Sequence, residues 1–260
     1  MQEMVTAGIE TVTLDILSQS SIEASVIEVR KLLGGSLDIL INNAAGTYYA
    51  PIADTNIEEA KAQFDINFWA HIVMIQAYLP LLCRSQHGGI IINHTSIASS
   101  MNTPFTSIYG ASKAALASIT RGLDTELTAF GIRAIDLKSG VVASNICANE
   151  GARRERKIPR QSMYHAARDW LDVFVTGDSI NESAVPCGPW AKRVVSQILQ
   201  PKPPKAIWEG AFSWLAWFLT FMPYSLQDMV GRSTSQCDVI DKSIKAYGVE
   251  RAIADRYGNA

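Results

Sequence analysis

Three segments of this chain read as strands, the first two in nearly continuous apolar runs: LDILINNAAG from Leu37 to Gly46, GGIIINHTS from Gly88 to Ser96, and IRAIDLKSG from Ile132 to Gly140. A strand with one wet face alternates in polarity, so runs of this kind belong to strands covered on both faces, as in a parallel sheet between layers of helices. The stretches between them carry helical signals. SQSSIEASVIEVRKLLGG opens with serine and glutamate and closes on Gly34 and Gly35, as helix ends require. NIEEAKAQFDINFWAHIVMIQAYLPLLCRS reads as a long helix or helix pair, with Pro80 marking a turn or kink, and GASKAALASITRGLDTELTAF reads as a helix from Gly110 to Phe130 closed by Gly131. IETVTLDI, Ile9 to Ile16, is rich in β-branched residues and predicts a further strand. The sum is a doubly wound parallel α/β sheet, whose ligands lie in the crevice outside the carboxyl ends of the strands. Asp15, Asn43, Ser96 and Gly140 each follow a predicted strand, which puts all four on that edge.

Composition narrows the functional classes. A chain of 260 residues, 48% hydrophobic and 18% charged, can bury a substantial core as one large domain. Its net charge of −2 offers nothing to a nucleic-acid partner. Cys83, Cys147, Cys187 and Cys237 are scattered without metal-ligand spacing, so no metal site is expected and a reduced cytoplasmic protein is the default. The opening MQEMVTAGIETVTLDI lacks a basic region followed by an apolar core, so no signal peptide is expected. Beyond Ala143 the strand–helix pattern loosens into the basic run RRERKIPR, helical stretches and the stiff PKPPK at Pro201–Lys205.

One feature strains the soluble reading. AFSWLAWFLTFM, Ala211 to Met222, is nearly unbroken in its apolarity, and Trp208, Trp214 and Trp217 cluster around it. It is shorter than the about 20 residues a spanning helix needs. Two readings stand: a buried helix or lid over an apolar pocket, or a peripheral contact through residues 208–223 with an intracellular membrane, where indole rings sit well at headgroup level.

Between the second and third apolar segments lies a set with chemical meaning. Tyr109 and Lys113 are four residues apart on a predicted helix, so they share a face. A lysine ammonium beside a phenol stabilises the phenolate and lowers its pKa, which suits the tyrosine to exchange protons with an alcohol or carbonyl. Ser96, at the end of the preceding strand, can donate a hydrogen bond to the same oxygen as charge develops. Asn67, in the long helix, can steady a relay behind the lysine. Tyr-x-x-x-Lys alone carries little weight, because chance supplies it in roughly one in three chains of this length.

Its company carries more. NNA at Asn42–Ala44, Asn67, Ser96 placed 13 residues before Tyr109, and YGASK stand in order and at the spacing of the short-chain dehydrogenase/reductase family, which the region from Ile9 to Ile146 resembles. The resemblance implies a Rossmann-like fold, with residues 1–150 as a core holding the catalytic group. Residues 151–260 would form the substrate loop and a C-terminal helical extension of the same domain. It implies Tyr109 as general acid/base, Lys113 as pKa modifier and nicotinamide-ribose ligand, Ser96 as substrate orienter and Asn67 in a proton relay. NADP or NAD would be the cofactor, with Asp15 and Ile16 at the adenine, Asn43 near the ribose, and Val142 and Ser144 at the nicotinamide end. Read without the family, Asn43 is equally a turn residue and Asp15 a helix-proximal cap.

The departures shape the expectations too. Ser139–Gly140 stands where the family has Pro-Gly, Ser144 where it has threonine, and Ala45 where it has glycine. The family's opening strand and glycine-rich turn, whose following helix holds the pyrophosphate, have no counterpart here, so the core is expected to be N-terminally truncated with a gap in the sheet and an unpaired edge. The Trp-rich C-terminal third is similar in character to members of the family related to 1-acyl-dihydroxyacetone-phosphate reductase. The expected function is an NAD(P)-dependent oxidoreductase interconverting a small apolar ketone or aldehyde and its alcohol, as a homo-oligomer. Two alternatives remain: a non-redox isomerase, dehydratase or cyclase using Ser96, Tyr109 and Lys113 without normal dinucleotide binding, and a catalytically silent scaffold.

Overall fold

Four parallel strands lie side by side in chain order: β1 (Ile39–Asn42), β2 (Ile90–His94), β3 (Arg133–Ser139) and β4 (Ala206–Glu209). In the computed structural model residues 4, 6–101, 103–146, 157–176 and 183–258 are described. Register sets Asn42 beside Asn93, Asn93 beside Asp136, and Asp136 beside Ala206, so the strand ends are nearly level and present one carboxyl edge.

The sheet's two faces are covered unequally. On one, α1 (Gln19–Leu32), α3 (Ala70–Leu82) and α4 (Ser107–Glu126) pack so that Ile22, Tyr78, Leu81, Leu82 and Ile91 form a buried cluster with Leu40 and Ala134. Each such large apolar side chain contributes roughly 1.5–3 kcal/mol. On the other, α6 (Cys187–Ile198) covers β2 to β4 through Val194 and Ile198 against Ile92, Ile135, Leu137 and Ile207. That layer reaches β1 only at Ile39, and Ile41 is 51% exposed. β1 ends the strand order, so its outer side is the unpaired edge, and the four strands lie together without the expected internal gap.

Local signals explain the helix ends. Ser18 caps α1 by accepting from Ser21, and Asn56 caps α2 (Ile57–Phe64) by accepting from Glu58 and Glu59, satisfying donors that a helix start leaves open. Gly131 takes the left-handed conformation, φ 68°, and ends the α4 region as expected. The long segment does not break at Pro80, which sits in the last turn of α3. It widens instead at Asp65–Trp69 into a π turn around Asn67.

Ile9–Ile16 forms no strand. β-branched residues favour a strand only where a neighbour completes the hydrogen-bond ladder, and Ile9–Ile16 is paired with none. Ile9 and Leu14 are exposed, while Ile16 packs against the Ile22 cluster.

The C-terminal region adds α5 (Arg168–Thr176), α7 (Ser213–Leu219), α8 (Tyr224–Thr234), α9 (Cys237–Tyr247) and α10 (Val249–Tyr257). Among the described residues no helix is long and apolar enough to cross a membrane. In α7, Ala216 and Leu219 face inward, whereas Trp214 is 70% exposed and Trp217 and Phe218 are also exposed, as is Phe221 just beyond its end. A wholly buried helix is thus not what forms.

Candidate active site

The site grows from the loop that leaves β1. Gln63, Asn67 and His71 recur at four-residue intervals through α2, the π turn and α3, and all three reach that loop. Gln63 donates to the Gly46 carbonyl at 2.6 Å, and the His71 Nε2 lies 2.8 Å from the Ala44 carbonyl. Asn67, fully buried, accepts from the Gly46 N–H at 2.9 Å and donates to the Gly46 carbonyl at 3.1 Å and to Ser112 Oγ at 3.0 Å. Ser112 in turn donates to the Tyr109 carbonyl at 2.7 Å. Asn67 therefore joins the loop to the helix turn that carries Tyr109, and π turns recur at such functional positions. Burial, partly opposed by the Ala44 bond and reinforced by the Lys113 charge, pushes His71 down to about 4.

From β2 comes Ser96, which opens a short 3-10 turn, Ile97–Ser99, with its Oγ accepting from the Ala98 N–H at 3.1 Å. That use of a lone pair leaves its proton to be donated outward. From α4 come Tyr109 and Lys113 on one face, as their spacing predicts. Tyr109 is half-buried and meets Tyr49 edge-on, ring centres 6.2 Å apart. Lys113 is 2% exposed, and its Nζ donates to the His94 carbonyl at 2.8 Å. Burial lowers its pKa to about 8 against the supporting charge of Asp136.

His94 crosses the ends of three strands. Its Nδ1 lies 2.7 Å from Asn43 Oδ1, its Nε2 2.6 Å from Ser139 Oγ, and its ring stacks on Trp190 with centres 5.5 Å apart. Burial and then the Lys113 charge drive it down to about 3, so it stays a neutral imidazole. Beyond it, Gly140 and Ala211 meet backbone to backbone. A Cβ on Gly140 would fall 1.9 Å from the Ala211 carbonyl oxygen, so only glycine lets the loop after β3 lie against the turn after β4.

These elements surround a cavity of about 1060 Å³ lined by Asn43, Ser96, Tyr109, Lys113, Val142 and Ser144, close to the upper end of ordinary small-molecule sites. Trp170, Phe174, Phe212, Leu215 and Val230 make its far wall, which is apolar. Asn67 stands behind the cavity rather than in its lining, bonded to Gly46 and Ser112. Asp15 and Ile16 are not brought to it. No strand precedes Asp15. Its carboxylate accepts from the Leu17 N–H at 3.0 Å, the helix-proximal turn role, because the missing strand would have been what carried it to the carboxyl edge.

The donor set fits the ribose end of a nicotinamide nucleotide. Lys113 Nζ finds a single acceptor, the His94 carbonyl, among the described residues, and an ammonium has three N–H groups. A vicinal diol beside it and Tyr109 would be well matched. Sequence reasoning missed Gln63, His71, His94, Asp136 and Lys138 as parts of this region. The signals were present: polar residues at helical spacing in a long apolar helix, and charges inside an apolar strand run.

Comparison with known proteins agrees with the geometry. A family profile described as short chain dehydrogenase matches residues 1–155. A short-chain dehydrogenase/reductase of Pestalotiopsis microspora is 38% identical over 245 residues, covering 94% of this chain and 84% of that protein. An NADPH-dependent 1-acyldihydroxyacetone phosphate reductase of Schizosaccharomyces pombe is 33% identical, covering 82% and 74%. Among solved structures, a short-chain dehydrogenase from Streptomyces avermitilis superposes with a TM-score of 0.69 at 18% identity, over 93% of this chain and 84% of that one, a likeness of fold. NADPH-bound carbonyl reductase from chicken fatty liver gives 0.53 at 27% identity, over 56% and 64%.

Proposed function

The chain belongs to the short-chain dehydrogenase/reductase family, and from that premise we propose that it reduces an apolar ketone or aldehyde to its alcohol, and runs the reverse reaction, with NADP(H). The observation that carries this reading is the convergence of Ser96, Tyr109 and the buried Lys113 on one large cavity with an apolar far wall. A reduced nicotinamide held beside Lys113 and Tyr109 would supply a hydride for the carbonyl carbon. Tyr109 gives its phenolic proton to the carbonyl oxygen, so the C=O π pair ends as an O–H bond. Ser96 donates a hydrogen bond to that same oxygen and holds it in line with the phenol. Lys113 offsets the negative charge left on the tyrosine, and the field of an ammonium in so dry a setting is large. Asn67 keeps the Gly46 loop and the Tyr109 turn in fixed relation. NADP(H) rather than NAD(H) is supported by the NADPH-dependent relative and the NADPH-bound neighbour. Titration with NADPH and NADH tests the reading: saturable NADPH binding below about 100 μM is expected, and no binding at millimolar cofactor would remove it.

We also propose that the exposed side of α7 rests on a lipid surface. Residues 210–227 contain no ionisable carboxylate, amine or guanidinium group. The tyrosine and tryptophans exposed there suit headgroup depth. Phe212 and Leu215 of the same segment line the cavity, so an apolar substrate would have a short path from the bilayer. Flotation with anionic vesicles should carry the wild type, and Trp214→Glu with Trp217→Glu should release it while sparing catalysis. A wild type that stays in the bottom fraction contradicts this contact.

A further inference from the structure

Strand β3 has neighbours on both sides, yet it holds an aspartate and a lysine on one face. Asp136 is 2% and Lys138 9% exposed. An ion pair in such a place is rarely the most stable solution, because apolar residues of similar volume serve packing as well or better. What the pair touches explains its presence. Lys138 Nζ lies 2.9 Å from Asp136 Oδ2, and each partner then reaches the same short stretch of chain. The hydroxyl of Thr95 donates to Asp136 Oδ1 and, more weakly, to the Leu137 carbonyl at 3.3 Å. Lys138 Nζ donates to Ser99 Oγ at 2.7 Å, and Ser99 Oγ donates to the Ser96 carbonyl at 2.6 Å. The indole of Trp208 lies against the ammonium, 5.3 Å from ring centre to Nζ, and closes its last open side.

Thr95 precedes Ser96 and Ser99 follows it by one turn. The bonds Thr95–Asp136–Lys138–Ser99–Ser96 therefore form a ring that meets the cavity at Thr95 and Ser96, and the Thr95 hydroxyl is already turned to Asp136. We propose that Asp136 and Lys138 are positioning residues for the reaction, clamping the backbone of Ser96 from both sides so that its hydroxyl meets the reacting oxygen. This rests on the reading of Ser96 as hydrogen-bond donor to the substrate carbonyl. A small displacement of such a donor lowers a rate by as much as a hundredfold, and a loop held only by its own turn would allow it. The same carboxylate also faces the buried Lys113 and supports its charge, so one buried anion serves both the donor and the cation of the site.

The test replaces the pair in two ways. Asp136→Leu with Lys138→Met keeps the volume and removes every link to Ser96. Asp136→Asn with Lys138→Gln removes the charges but keeps an acceptor for Thr95 and a donor for Ser99. In the apolar pair, kcat for ketone reduction should fall about ten- to a hundredfold at unchanged ketone KM, and amide exchange of residues 97–101 should accelerate while β2 keeps its protection. The amide pair should recover most of kcat. Ser99→Ala, a milder change that needs no charge removal, should lower kcat in the same direction should the apolar pair fail to fold. A purely packing role predicts the reverse, full kcat and unaltered exchange at 97–101 in the apolar pair, and that result would overturn the proposal. Exchange is read without turnover, so a protein that reduces no ketone at all would defeat the functional reading and leave the clamp to be judged on its amides.

Discussion

The carboxyl edge of the sheet and its lateral β1 edge are built on opposite terms. Along the carboxyl edge buried polar atoms are joined in sequence: Asn42 to Asn93 at 2.9 Å, Asn93 to Thr120 at 2.9 Å, His94 to Asn43 and Ser139, and Lys113 to the His94 carbonyl. Buried donors and acceptors without partners are costly, and these are paired, whereas His71 Nδ1 and Trp190 Nε1 beside them find no partner among the described residues. The lateral edge has no such wiring among the described residues. Ile41 faces solvent, and Ile9, Leu14 and Leu17, in or beside the segment that forms no strand, are exposed. The difference teaches that the links around Ser96, Tyr109 and Lys113 draw on all four strands and on both helix layers, Trp190 of α6 included, while none among the described residues runs through the outer side of β1.

The sharpest way to break that comparison is at the wired edge. Tyr109→Phe removes one hydroxyl from the cavity wall, and activity should fall by about 10²–10⁴-fold with little change in melting temperature. Residual activity above a tenth of wild type would refute the role.

Acid should unwire the same edge next. His71 and His94 are held neutral, near 4 and 3, against an ordinary 6.5. Their folded values lie below their unfolded ones, so the unfolded chain takes up protons first and stability falls as pH drops from 6.5 toward 4 and 3. Each histidine should cost on the order of 2–3 kcal/mol by pH 4.5. Urea midpoints at pH 7.5 and 4.5 measure this, and replacing both histidines with asparagine should flatten the slope. An equally steep slope in that double variant would assign acid lability elsewhere.

Asn67→Ala strips the Gly46 N–H of its partner and leaves the Gly46 carbonyl to Gln63 alone, and should destabilise by about 1–3 kcal/mol, read as a lowered urea midpoint. Activity should drop with it, because the loop and the Tyr109 turn lose their link. At the lateral edge the effect should nearly vanish: Ile41→Thr is expected within about 0.5 kcal/mol of wild type. A loss above 1.5 kcal/mol would mean that this edge is covered in solution, and the contrast between the two edges would fail.

Much of the site was legible before any coordinates. Ser96, Tyr109 and Lys113 could be read because their relation is local, a strand end and two positions on one helix face. The parallel strands were legible from residues that are apolar at both parities. Ile9–Ile16 misled because β-branched composition is local, whereas a strand exists only by pairing with another part of the chain. Asp136 and Lys138 within IRAIDLKSG carry no local sign of what they bind. Two charges in a central strand should have been read as a demand for partners, and only the fold shows that Thr95 and Ser99 meet it. The π turn at Asp65–Trp69 left no mark that Pro80 did not outshine.

The most direct test of the account is the ketone-dependent consumption of NADPH by wild type and Tyr109→Phe, followed at saturating cofactor across a series of apolar ketones. Turnover should grow with ketone concentration in the wild type and fall at least a hundredfold in Tyr109→Phe, with NADPH binding retained in both at saturating cofactor. A wild type that binds NADPH but oxidises none of it with any ketone, or a variant that keeps the wild-type rate, would contradict it.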